Sequence, residues 1–118
     1  PADAPILERL RELDGARAGS LREMQKAAYQ NKLDKGFNVT DVHKEFCLLY
    51  GEVAEAYDAY RKKQHSVGEE LADVAIYLMG LAEILGVDLQ AEVQRKMAIN
   101  RARVYENKNG VLLKAQKK

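Results

Sequence analysis

Tryptophan is absent from this 118-residue chain, cysteine occurs once, and both prolines lie within the first five positions. A lone Cys47 excludes an intramolecular disulfide framework and fits a reducing compartment, where it reads as a small core or boundary residue. After Pro5 nothing forbids long helices. Neither sign of charge dominates: 19 Lys and Arg stand against 18 Asp and Glu, so there is no basic excess to hold a nucleic acid polymer. No apolar run reaches the roughly 20 residues that span a bilayer. The opening segment PADAPILERLREL has charges where a secretory signal needs an apolar centre. Period-two alternation of useful length is missing too, which argues against strands. A soluble cytoplasmic protein without a membrane partner is expected.

What is present is helical periodicity. Pro5 opens a short helix with Ile6, Leu7, Leu10 and Leu13 on one stripe. Ser20 and Glu23 form a capping box for LREMQKAAYQNKLDK, with Leu21, Met24, Ala28 and Leu33 directed inward and Gly36 as terminator. Thr40 or Asp41 caps a helix from about Val42 to Lys63, in which Phe46, Leu49, Tyr50, Val53, Tyr57 and Tyr60 form one apolar stripe, assigned to the core. A second stripe on the same helix holds Leu48, Glu52, Glu55 and Ala59. Ser66 with Glu69 predicts a further capping box, and Gly86 closes the helix that follows. Asp88 caps the last helix, expected to run to about Asn107 and stop at Asn109-Gly110. VLL at Val111 to Leu113 is a short extended piece or a tail that packs on a partner subunit. The expectation is an all-α bundle of four to five helices in one domain, residues 1–118, with an acidic core over about 42–107 and a tail over 108–118.

The unusual residues are four acids. Glu52 and Glu55, and again Glu70 and Asp73, are three apart, so each pair shares one side of its helix. From Leu71 to Leu85 the only charges are Asp73 and Glu83, and a helix apolar on all sides is read as buried. Ionised carboxylates removed from water cost several kcal/mol each unless compensated. Lys and Arg are missing from Val67 to Gln94, so that helix offers no cation. A divalent metal compensates most economically, and carboxylate oxygens suit hard Mg²⁺ or Mn²⁺. Farther on, Lys96, Asn100 and Arg103 are spaced four and three apart on one face, two cations and an amide that suit a polyphosphate as well as a plain solvated surface.

Glu52-x-x-Glu55, Glu70-x-x-Asp73, LAEILGVDL and the Lys96, Asn100, Arg103 face, in that order, resemble the MazG family of all-α nucleoside triphosphate pyrophosphohydrolases. The resemblance covers roughly Phe46 to Tyr105 and extends more loosely to Gln25 and NKLDKGFNVTDV. It implies Mg²⁺-dependent cleavage between the α- and β-phosphates of a nucleoside triphosphate, giving a monophosphate and pyrophosphate, in nucleotide-pool house-cleaning. It also implies that Glu52, Glu55, Glu70 and Asp73 bind metal, with Glu52 or Glu55 as the base, and that Lys96, Asn100 and Arg103 contact phosphate. A homodimer or homotetramer with sites near subunit contacts is implied as well, which would cover the apolar stripes. The base pocket is expected beside the metal, among aromatics such as Tyr29, Phe37 and Tyr77. Tyr77 is the strongest of these, one turn beyond Asp73. Gly51 departs from the family, many members of which have a further acid there.

Three other readings compete with this one. A di-iron carboxylate bundle needs Glu-x-x-His pairs, and neither His43 nor His65 follows a Glu at that spacing. A non-enzymatic helical interaction module explains the apolar stripes but gives the inward acids no purpose. A phosphoribosyl-ATP pyrophosphohydrolase shares the acidic-helix logic and stays open as a substrate variant.

Overall fold

The computed structural model describes residues 19–115; the helix expected from Pro5 lies outside them. Four helices follow in order: α1 (Leu21–Lys35), α2 (Val42–Arg61), α3 (Val67–Ile84) and α4 (Leu89–Ala102). A hairpin of β1 (Tyr105–Lys108) and β2 (Val111–Lys114) completes the described chain. The fold is mostly helical, as expected.

Local chemistry accounts for most boundaries. The Ser20 hydroxyl accepts from the Glu23 N–H at 3.1 Å, and Gly36 leaves α1 in the left-handed region while the Phe37 N–H donates to the Lys32 carbonyl, a Schellman closure. Asp41 caps α2 through the Lys44 N–H, and Asp88 caps α4 through the Ala91 N–H. The capping box expected at Ser66 does not form: Ser66 has φ −81° and ψ 3° and makes no side-chain cap bond. An N-cap side chain reaches the second or third N–H from an extended backbone, which Ser66 lacks.

The last helix ends at Ala102, five residues short of the expected Asn107. Asn109 (φ 55°) and Gly110 (φ 81°) instead make a two-residue turn that pairs Lys108 with Val111 and Tyr105 with Lys114. This is the primed turn that Asn-Gly favours, because its twist matches that of the flanking strands. No residue of α4 is buried, so little packing supports a longer helix against it.

α2 packs on α3, α1 lies across α3, and α4 rests mainly on α1. The apolar core is small: Ala56 and Ala59 from α2, and Met79, Leu81 and Ala82 from α3. Three expectations about facing are not met within one chain. The inward stripe of α1 is Leu21, Gln25, Ala28 and Lys32, whereas Met24 and Leu33 are exposed. On α2 the inward stripe is Glu45, Leu49, Glu52, Ala56 and Ala59; of the stripe assigned to the core only Leu49 is half-buried, and Phe46, Tyr50, Val53, Tyr57 and Tyr60 are exposed. Likewise α3 is buried only from Met79 to Ala82, with Leu71, Ile76 and Leu78 exposed. Periodicity identifies an apolar face without saying what covers it. Among the described residues no helix is long and apolar enough to cross a membrane.

Polar side chains join these layers. The Gln25 amide donates to Glu83 Oε2 at 2.9 Å and to the Val87 carbonyl at 2.7 Å, and its oxygen accepts from the Leu89 N–H at 3.2 Å. α1 is thereby tied to the turn between α3 and α4. Two turns farther on, Lys32 makes a buried ion pair with Glu45 of α2 and stands 5.2 Å from the centre of the Tyr77 ring of α3.

Candidate metal centre and adjoining cleft

The α2–α3 packing brings the two acidic pairs together. Glu52, Glu55 and Glu70 each offer a carboxylate oxygen within 4.8 Å of the other two. Glu52 and Glu70 are half-buried and Glu55 is exposed. Asp73, also exposed, lies outside this close triad, although its charge still acts on Glu52.

The electrostatics are uncompensated. Glu52 Oε2 and Glu70 Oε2 are buried and accept no hydrogen bond from the described residues. Among the described residues none of the four acids is in an ion pair, and the one lysine buried nearby is committed to Glu45. Desolvation pushes the Glu52 carboxyl above its ordinary 4.5, reinforced by the closeness and charge of Glu55 and by the charges of Asp73 and Glu70. Buried acceptors without donors and like charges without a cation fit a hard dication, for which an all-oxygen donor set is suited. At Gly51 an added Cβ would meet nothing within 4 Å, so the backbone position has room for a side chain.

Tyr77 borders this centre. Its phenol is raised above 10 chiefly by burial, then by the charges of Glu52, Glu45, Asp73 and Glu55, so it feels both the acidic cluster and Glu45. Tyr77 also lines a cleft of about 390 Å³, together with Lys32, Phe37, Asn38, Lys44, Glu45 and Leu48 among others. Phe37 and Tyr77 therefore share one cleft; Tyr29, the third aromatic considered, is half-buried on α1 and does not line it. The Lys32–Glu45 pair was missed because a lysine and a glutamate on separate helices carry no signal of burial; the only hint was their place on the inward phase of α1 and α2.

The basic face stands elsewhere. Lys96 and Asn100 are exposed on α4, and Arg103 is the residue that ends the helix, its guanidinium donating to Asn100 Oδ1 at 2.8 Å. α4 rests mainly on α1, whereas the four acids lie on α2 and α3.

The MazG-like family matches residues 42–115, from the start of α2 to the end of the hairpin. A dATP/dGTP diphosphohydrolase of Salmonella phage PMBT28 is 30% identical over 106 residues, covering 90% of this chain and 34% of that protein. No solved structure matches. The chain belongs to the MazG-like family, the nucleotide pyrophosphohydrolase class that its motif order resembles. This chain spans about a third of its phage relative's length.

Proposed function

We propose that this chain is a Mg²⁺-dependent nucleoside triphosphate pyrophosphohydrolase, with Mn²⁺ as a substitute, that cleaves between the α- and β-phosphates and releases a nucleoside monophosphate and pyrophosphate. The observation that carries it is the convergence of Glu52, Glu55 and Glu70, with two buried carboxylate oxygens lacking any donor, in a member of this family. The name of the phage relative adds support for deoxynucleoside triphosphates as the substrate class.

In this reading Glu52, Glu55, Glu70 and Asp73 hold the metal. When bound, the dication supplies positive charge against the phosphate oxygens and acidifies a water for attack on phosphorus. Glu52 or Glu55 accepts the proton of the attacking water through an oxygen not engaged in binding. Tyr77 lies where it meets the sugar or the first phosphate. Lys96, Asn100 and Arg103 grip the outgoing pyrophosphate, and a second copy of the chain delivers them, since within one chain α4 is packed on α1. The exposed stripe Tyr50, Val53, Tyr57 and Tyr60 is the surface on which a homodimer or homotetramer forms. The acidic core over 42–107 is the working part of one MazG-like domain, and nucleotide-pool house-cleaning is its task.

The test is a panel of nucleoside triphosphates with Mg²⁺, scored separately for pyrophosphate and orthophosphate. Pyrophosphate with a monophosphate supports the reading. Orthophosphate with a diphosphate, or no turnover of any triphosphate, overturns it.

A further inference from the structure

The cleft beside Tyr77 has a charged floor. Glu45 is only 2% exposed and lines the cleft; one carboxylate oxygen is paired with Lys32, and the other, Oε2, is buried with no donor. Lys32 is 8% exposed and lines the same cleft. A pair this deep is not explained by stability alone, because replacing such a pair with apolar residues is often neutral or favourable. The remaining walls are Leu48, the aromatic rings of Phe37 and Tyr77, and at the rim the exposed Gly36 and Lys44 and the half-buried Asn38, with Phe37 about half exposed at 53%. Some 390 Å³ falls within the range of small-molecule pockets, in which a few polar groups on an apolar wall set orientation.

We propose that the Lys32–Glu45 pair reads the pairing edge of a nucleobase held in this cleft, Glu45 Oε2 accepting an N–H from an amino-bearing base, guanine above all, and Lys32 donating to the neighbouring carbonyl. This rests on the reading that the occupant is a nucleotide with its phosphates toward the acids. An ionised carboxylate only accepts and an ammonium only donates. Guanine presents a carbonyl, a ring N–H and an amino group in sequence, so the cation meets an acceptor and the carboxylate meets donors. Thymine and uracil present a second carbonyl where guanine has its amino group, which sets an acceptor against Glu45. Because Oε2 is screened from water, a donor that reaches it replaces no solvent bond, and a base without that donor leaves a buried charge unsatisfied. Phe37 supplies a face for the ring.

The test is calorimetric titration of the metal-free protein with dGMP, dIMP and dTMP. dIMP keeps the carbonyl and ring N–H of dGMP and lacks only the amino group. The expected result is dGMP binding about tenfold or more tighter than either of the others, the size of one charge-assisted hydrogen bond. Glu45→Gln should weaken dGMP about tenfold or more and change dTMP less than twofold. The doubly neutral Lys32→Gln/Glu45→Gln protein, which leaves no lone buried charge, should lose the preference altogether. Equal affinities in the unmodified protein, or an equal loss for all three ligands in Glu45→Gln, overturn the proposal. The ranking in the unmodified protein needs no variant to fold. Hydrolysis without base discrimination would sink this inference and spare the proposed activity; base discrimination without hydrolysis would do the reverse.

Discussion

Gly80 of α3 and Lys32 of α1 fit together as groove and ridge: a methyl group at Gly80 would stand 3.1 Å from Lys32 Cδ and 3.3 Å from Cε. The glycine gives up helix propensity so that the lysine stem can pass beneath α3 to Glu45.

Gly80→Ala should therefore be destabilising despite a gain of about 1 kcal/mol in helix propensity. Lys32 is held at both ends of its reach, and overpacking of this kind costs about 1–3 kcal/mol. In a Lys32→Ala/Glu45→Ala background the stem is gone and the same substitution should stabilise. Urea unfolding of the four proteins measures the coupling, and independent effects would separate Gly80 from Lys32.

Millimolar Mg²⁺ or Mn²⁺ should raise the melting temperature, since a ligand of the folded state stabilises by about 2.7 kcal/mol at a hundred times its dissociation constant. Glu70→Gln should abolish the shift, because Glu70 contributes one of the two buried oxygens without a donor in the acidic cluster. A full shift in that variant would place the ion elsewhere.

The metal-free protein should become more stable as pH falls from neutral toward the ordinary carboxylate value. Glu52 has its folded pKa raised above 4.5, so the folded state binds the proton more tightly than the unfolded state. That contribution is fully present below the unfolded value and is lost as pH rises through the folded one. Glu52→Gln should flatten this part of the profile, and protons should compete with Mg²⁺ in the unmodified protein. Melting scans from pH 7.5 down to 5, with and without the ion, check both.

Asp73→Asn should lower pyrophosphate release by at least about a hundredfold while leaving urea stability within about 0.5 kcal/mol, as expected for an exposed position. Retention of full turnover would remove Asp73 from the site.

Gly51→Glu should be tolerated, as no atom outside the helix lies within 4 Å of the new Cβ. The added carboxylate lies one turn before Glu55, and Mg²⁺ should then protect against heat at lower concentration. An unchanged metal titration would show that a carboxylate at this position does not reach the ion.

Much of the fold could be read in advance. The bounds of α1 and the caps at Ser20, Asp41 and Asp88 follow from short-range chemistry, which a sequence displays directly. The approach of Glu52 and Glu55 to Glu70 was legible for a similar reason, since spacing of three puts each pair on one side of a helix and a short bend folds the helices together. What escaped depends on partners distant in the chain. Tyr50, Tyr57 and Tyr60 have the period of a core stripe, yet α3 packs against the neighbouring face that carries Ala56 and Ala59. Lys32 and Glu45 are charged residues with the period of inward positions, and only the packing distinguishes such a pair from surface. The Asn109-Gly110 turn was visible as a helix stop; its stronger meaning, a hairpin, was hidden because neither strand alternates.

Gln25 and Lys32 sit on the same helix seven residues apart, about 10 Å at 1.5 Å per residue. The first is clamped by three hydrogen bonds to the far turn; the second forms the cleft floor. α1 is thus anchored near one end by the α3–α4 turn and lines the cleft toward the other, so the seating of Lys32 rests on a helix fastened by a glutamine that lines none of the cleft.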